Sequence, residues 1–279
     1  MKNNSTYKSG WIFALFLVLS TSCASGVFAG VKNGKLHKLF SQSPSHSVVR
    51  WGGLMISAHE PAVVAAATVK ITQYQVKPEF QDTFRKVIGE YVTNALEVKG
   101  NIMAEAYFER ENASTLWLIE RWEGNSSYES FQSGNEKKAL DLICELALIT
   151  PAKKSDFVDI EPLTKSQWRK QPNPADQPFT AMLFVDGKVN TENIFITRYH
   201  KAMPAFRSEK GIVTYGLSQS TSDATKFVTY EKFRSDQAFQ FHLKFPPIEP
   251  VVDYLKTSIK NPPFEKSLHN LIQFAPSIN

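Results

Sequence analysis

The residues best able to do chemistry lie close together in one stretch of the chain. Glu231-Lys232-Phe233 is followed by Ala238 and then His242, bringing a carboxylate, an aromatic ring and an imidazole into one short segment. Imidazole exchanges a proton near neutral pH, so His242 is the first candidate for a general base or a substrate hydrogen-bond partner. A structural histidine beside the Pro246-Pro247 break is the plainer alternative. Tyr215 and Tyr230 each carry a hydroxyl that could orient a substrate oxygen, although core packing is the commoner fate of such rings. Phe233 could wall the same pocket or pack beneath a helix. Arg198 and His200 flank Tyr199 and are expected to point away from the core. His269 receives no role. No Cys/His cluster has zinc spacing, and no GxGxxG, Walker loop, HExxH or GxSxG occurs. These absences disfavour the usual nucleotide, zinc-protease and serine-hydrolase chemistries. Cys144 sits in the apolar run ALDLICELALI and reads as a buried, inert thiol.

The 279 residues are 42% hydrophobic and 21% charged, an ordinary globular composition that excludes wholesale disorder, a collagen and a polytopic membrane protein. The formal charge of +5 falls to about +3 once Lys2 and Lys8 are set aside, and no Lys/Arg run argues for nucleic acid. Lys2, Lys8, the apolar core Trp11–Leu19 and Val27-Phe28-Ala29 read as a secretory signal cleaved near Ala29. The apolar core is too short to cross a bilayer, which needs about twenty residues. An uncleaved anchor or buried helix, and a lipoprotein site at Cys23, are the alternatives. Periplasmic or secreted localisation follows from cleavage. Residues 30–66 read as a linker.

The elements that must position His242 come in two sets. A strand-like run through Val69 and Ile71 precedes Pro78. Phe80, Phe84, Ile88, Tyr91 and Ala95 then mark one face of a helix that Gly100 ends. Ile102–Arg110 and Ser114–Trp122 read as strands, Ser126–Gln132 and Glu136–Ile149 as helices, and Phe157–Ile160 as a last short strand. Residues 163–178 are polar, carry three prolines and read as an interdomain linker. Adding 111 to the first set gives the second. The helix face becomes Thr191, Phe195, Tyr199, Ala202 and Phe206, Gly100 becomes Gly211, and Glu120-Arg121-Trp122 becomes Glu231-Lys232-Phe233. One offset for all of these identifies an internal duplication. Phe131 stands at the counterpart of His242 and cannot move a proton. Glu120 and Glu231 are expected to be solvated or helix-capping carboxylates at strand ends.

Each β-α-β-β-α-β unit predicts an α+β, ferredoxin-like domain whose sheet has helices on one face only. The expected domains are 67–163 and 179–279. In Ile212–Ser218 neither alternating side is charged, so both faces can be buried, and the two units are expected to pack sheet to sheet as an intramolecular pseudo-dimer. The chain resembles two copies of the antibiotic biosynthesis monooxygenase domain, of the dimeric α+β barrel superfamily, over roughly 68–163 and 179–276. Glu231-Lys232-Phe233 with Ala238 and His242 carries the resemblance most specifically. It implies oxygenation, without any cofactor, of a quinol or other electron-rich aromatic, with O₂ and that small molecule as the only partners. The charge pattern argues against a nucleic-acid partner, signal cleavage would leave no membrane partner, and the duplication predicts a self-contained pseudo-dimer, further homo-oligomerisation being open. A non-catalytic small-molecule-binding or structural barrel is the alternative. Haem cleavage is disfavoured, because Thr72 or Leu183, Phe131 or His242, and Asp141 or Val252 do not match the residues of haem-degrading relatives.

Overall fold

The computed structural model describes residues 66–277. The expected leader, the Cys23 alternative and the linker up to residue 65 lie outside the described residues. The first repeat runs β1 (Thr68–Val76), a 3-10 turn at Pro78–Phe80, α1 (Gln81–Glu97), β2 (Asn101–Glu109), β3 (Thr115–Trp122), α2 (Asn125–Gln132), α3 (Asn135–Ala147) and β4 (Leu148–Asp159). A short α4 (Lys165–Trp168) leads to β5 (Phe179–Asp186), α5 (Glu192–Ser208), β6 (Ile212–Ser220), β7 (Lys226–Phe233) and α6 (Asp236–His242). A 3-10 turn at Pro246–Ile248, α7 (Glu249–Thr257), a second turn at Phe264–Ser267 and β8 (Leu268–Ala275) complete the chain. Helices α1 and α5 begin and end 111 residues apart, as do β2 and β6, and β3 and β7. The duplication is therefore kept residue for residue through the second helix-strand unit. It slips only before the last strand, where β8 starts well after α7 while β4 follows α3 directly.

The eight strands close into one barrel in the order β1-β3-β2-β8-β5-β7-β6-β4. Each repeat supplies four consecutive strands, in the ferredoxin-like order 4-1-3-2. The seams are two antiparallel pairings between repeats: β4 with β6 through Phe157↔Ser220 to Asp159↔Ser218, and β2 with β8 through Ala106↔Ala275 to Glu109↔Leu271. Closure removes the four sheet edges that two separate units would leave unpaired. The helices stay outside, and three apolar layers result. Phe84, Ile88, Tyr91 and Trp122 pack between sheet and helices in the first repeat. Phe195, Tyr199, Phe206 and Phe233 do so in the second. Ile71, Met103, Ile119, Met182 and Leu271 fill the barrel.

The segment expected to be only a linker also closes one end of the barrel. Thr164 caps α4 in a reciprocal capping box with Gln167. Trp168 is then carried into the barrel end, where it is 1% exposed. Its ring faces Gly216, where a Cβ would overlap the indole, so only glycine leaves it a seat. Arg169 fastens the segment by donating to the carbonyls of Leu96, Asn101 and Ile102 at 2.9–3.1 Å. The last strand of the first repeat is longer than expected and begins at Leu148. Its opening residues are largely exposed and include Pro151, which hides the strand pattern.

Candidate functional site

Strand β7 distributes its side chains by simple alternation. Phe227, Thr229, Glu231 and Phe233 face the helices, while Val228, Tyr230 and Lys232 enter the barrel. On β6, Tyr215 stands opposite Glu231 in the register, on the helix side. Ser235 caps helix α6, its hydroxyl accepting the Ala238 N–H at 3.2 Å, and the helix ends at His242. The short helix thus sets His242 down on the Tyr215–Glu231–Phe233 surface. Ring centroids lie 5.4 Å away for both Tyr215 and Phe233, and 4.9 Å for Phe206, which meets the imidazole edge to face.

Three polar groups define what this imidazole can do. Nδ1 lies 2.7 Å from Glu209 Oε1, at the C-terminal end of α5. A carboxylate only accepts, so Nδ1 is the nitrogen that donates to Glu209, which leaves Nε2 as the ring atom facing the rest of the site. Nε2 has no hydrogen-bond partner, and Glu231 Oε2 lies 3.9 Å from it. Glu231 accepts the Tyr215 hydroxyl at 2.9 Å. Burial pushes the Glu231 carboxyl up, with the neighbouring imidazole and the Tyr215 and Thr229 hydroxyls opposing. The result is a line Glu209–His242–Glu231–Tyr215 with a partnerless ring nitrogen at its centre and aromatic rings around it.

His242, Tyr215 and Phe233 are brought together as the sequence suggests. Tyr230 is not, because it neighbours Glu231 in the strand and must point the other way. Inside the barrel its hydroxyl meets that of Tyr107 at 2.7 Å and donates to Glu105. The two strand-end glutamates also depart from expectation: Glu120 and Glu231 are both buried, not solvated. His200 points outward to Glu161 at 2.7 Å. The barrel interior holds charged residues that the sequence reading overlooked. Lys232 pairs with Glu105 at 2.6 Å, and Arg121 with Asp159 at 3.1 Å. A signal for the two cations was present: in Glu-Arg-Trp and Glu-Lys-Phe the middle residue must face away from its neighbours, into the barrel.

The first repeat has the same frame with other chemistry. Phe131 occupies the place of His242 and packs on Tyr91 and Trp122. Glu120 accepts the Tyr91 hydroxyl at 3.2 Å, and Tyr91 in turn accepts from Gln132 at 2.6 Å. Both repeats therefore hold a buried glutamate by a tyrosine, taken from α1 in one and from β6 in the other. Burial raises the Glu120 carboxyl to about 7, against the hydrogen bond from Tyr91. A carboxyl raised on folding binds its proton more tightly in the folded state, so its contribution is full below the usual carboxylate range and is lost as pH rises through about 7. Urea unfolding from pH 5 to 8 should show stability falling by on the order of 2–3 kcal/mol, and Glu120→Gln should flatten much of that slope. An unchanged slope in the variant would place the titration elsewhere. Nearby, Cys144, expected to be buried, is only half-buried at the edge of a surface groove, and what burial it has pushes the thiol up to about 11.

Among the described residues no three His, Cys, Asp or Glu side chains stand together as a metal-ligand set. Fold and site together define a tandem α+β barrel with one histidine-bearing helix-sheet layer. The antibiotic biosynthesis monooxygenase family model matches the chain twice, over residues 68–140 and 178–251, and the chain belongs to that family. Solved structures agree in fold. A candidate monooxygenase from Lactobacillus acidophilus NCFM superposes with a TM-score of 0.61 at 12% identity, covering 75% of this chain and 94% of its own. One from Fusobacterium nucleatum gives 0.62 at 12%, covering 76% and 99%. An anthrone oxidase-like protein gives 0.55 at 10%, covering 75% and 91%. No curated protein matches the chain.

Proposed function

We propose that the chain is an exported monooxygenase that oxidises a quinol or other electron-rich phenol with electrons drawn from the substrate itself. The second repeat carries the chemistry and the first completes the barrel. The observation that carries this reading is the partnerless Nε2 of His242, oriented through Nδ1 by Glu209 and buried among aromatic rings. Such a nitrogen can take a phenolic proton. The phenolate then gives an electron to O₂, the two radicals join, and loss of water completes the turnover: hydroquinone plus O₂ gives hydroxyquinone plus water. On this reading the Tyr215 oxygen, whose hydrogen goes to Glu231 at 2.9 Å, would accept from the substrate hydroxyl, and the dry walls would protect the radical pair.

His242 is 1% exposed, so entry requires the segment from α6 to the Pro246-Pro247 turn to move outward. That closure favours a second reading, a non-catalytic barrel in which the same residues only pack. Oxygen uptake with a panel of hydroquinones separates the two. The oxygenase reading expects uptake above the buffer rate and a loss of about 10²-fold or more in His242→Ala. Buffer-level uptake by the native protein would leave the structural reading. Export rests on the leader-like residues Lys2 to Ala29, and the amino terminus of the mature protein is expected at Gly30.

A further inference from the structure

The two ends of the barrel are treated differently. Trp168 closes the end where β6 begins. At the other end, where β5 and β6 finish and β7 starts, a cleft of about 500 Å³ opens. Its walls come from both repeats: Lys154 and Phe157 on β4, Phe184 on β5, Ser220 on β6 and Lys226 on β7. This volume lies within the usual range for small-molecule sites, roughly 300–1,000 Å³.

The floor of the cleft is aromatic and fixed. The Phe184 ring lies 5.7 Å from Trp117 in a stacked arrangement and 6.2 Å from Phe157. His269 meets Phe184 edge-on at 5.6 Å and Trp117 at 4.9 Å. Glu109 locks this group from behind, accepting the Trp117 indole N–H at 3.0 Å and holding His269 Nδ1 at 2.8 Å. The rim charges do not cancel. Asp156 is taken up by Lys70 at 3.2 Å, and Asp186 by Lys260 at 2.7 Å. Lys226 leans on Asp223 at 3.5 Å. Among the described residues Lys154 has no carboxylate within ion-pair distance. Lys154 stands on the rim that divides this cleft from the groove beside Cys144, so the mouth has one uncommitted lysine at its edge, with the Ser220 hydroxyl nearer the aromatic shelf.

We infer that this open end of the barrel is a second binding site, distinct from the His242–Glu209–Glu231–Tyr215 group, for a small planar aromatic carrying a carboxylate or phenolate. The ring would lie against Phe184, and the anion would meet Lys154 and the Ser220 hydroxyl. The site does not depend on the oxygenase reading: Val185 and Phe227 of its lining also reach the helix-sheet layer of the second repeat, but His242, Glu209, Glu231 and Tyr215 do not line it.

Benzoate is the probe, with benzyl alcohol as its uncharged counterpart. Titrated into the ¹⁵N-labelled full chain, benzoate should shift the Trp117 indole N–H resonance saturably. Lys154→Gln, an exposed substitution that leaves the fold intact, should weaken binding by about tenfold, and benzyl alcohol should bind about tenfold more weakly than benzoate. His242→Ala should bind benzoate as the native protein does. No saturable shift, equal affinity in Lys154→Gln, or equal affinity for benzyl alcohol would each overturn the proposal. Loss of binding in His242→Ala would do so too, by placing the ligand in the other layer.

Discussion

Asp159→Ala is expected to lower the folding free energy by about 3–5 kcal/mol, because it strands a charge that cannot be removed. Arg121 and Asp159 are both sealed inside the barrel, with side chains 1% and 0% exposed. A guanidinium does not deprotonate in a protein, so Arg121 would remain charged beside Met103, Tyr230 and the face of Trp168, 3.6 Å from that ring's centroid. Ser218, which donates to Asp159 at 2.6 Å, would lose its acceptor as well. The repeats share this pair, since Ser218 lies on the β4–β6 seam. Urea unfolding followed by tryptophan fluorescence reads the loss as a lower midpoint at similar slope. Adding Arg121→Met to Asp159→Ala should recover a large part of it, since an apolar side chain of similar length removes the stranded charge. A loss below about 1 kcal/mol would mean that water reaches the barrel interior.

Trp168→Ala is expected to cost about 3–5 kcal/mol, the range for removing a large aromatic from a core. The indole fills the barrel end against Gly216, Arg121 and Tyr230, and nothing on the facing strand can refill it, since Gly216 has no side chain. Truncation therefore opens the plugged end to water beside a buried ion pair. Gly216→Ala should act in the same direction, by expelling the ring. Both effects would be seen in one cooperative transition for the described repeats, because the seams make the eight strands a single closed sheet. An effect near zero for Trp168→Ala would reduce α4 to a tether.

What the sequence disclosed follows the range of the forces involved. Helix faces repeat every three or four residues, so Phe84, Ile88, Tyr91 and Ala95 and their second-repeat counterparts are visible without knowing what they touch. The constant offset then extends to glycines, turns and strand ends, and the barrel follows from two sheets with one bare face each. His242 stands out by its chemistry and its spacing from Glu231-Lys232-Phe233, and the strand alternation that carries Tyr215 toward the helices brings the two rings together. Tyr230 cannot join them, because the two-residue alternation of β7 turns it into the barrel, away from Glu231. Glu120 and Glu231 look solvated in sequence because charge predicts exposure, and only the tertiary structure shows the tyrosine that satisfies each. The Lys232–Glu105 pair joins residues of different repeats, and no local pattern announces such a partner. Trp168 is a lone aromatic in a polar, proline-rich stretch, where periodicity has nothing to act on.

The oxygenase account is tested most directly by following the oxygen atom. Single-turnover reaction of the purified protein with a hydroquinone under ¹⁸O₂, analysed by mass spectrometry, should give hydroxyquinone carrying one labelled oxygen with the native chain and none above background with His242→Ala. Unlabelled product, label arriving from solvent water, or identical labelling by the two proteins would contradict it.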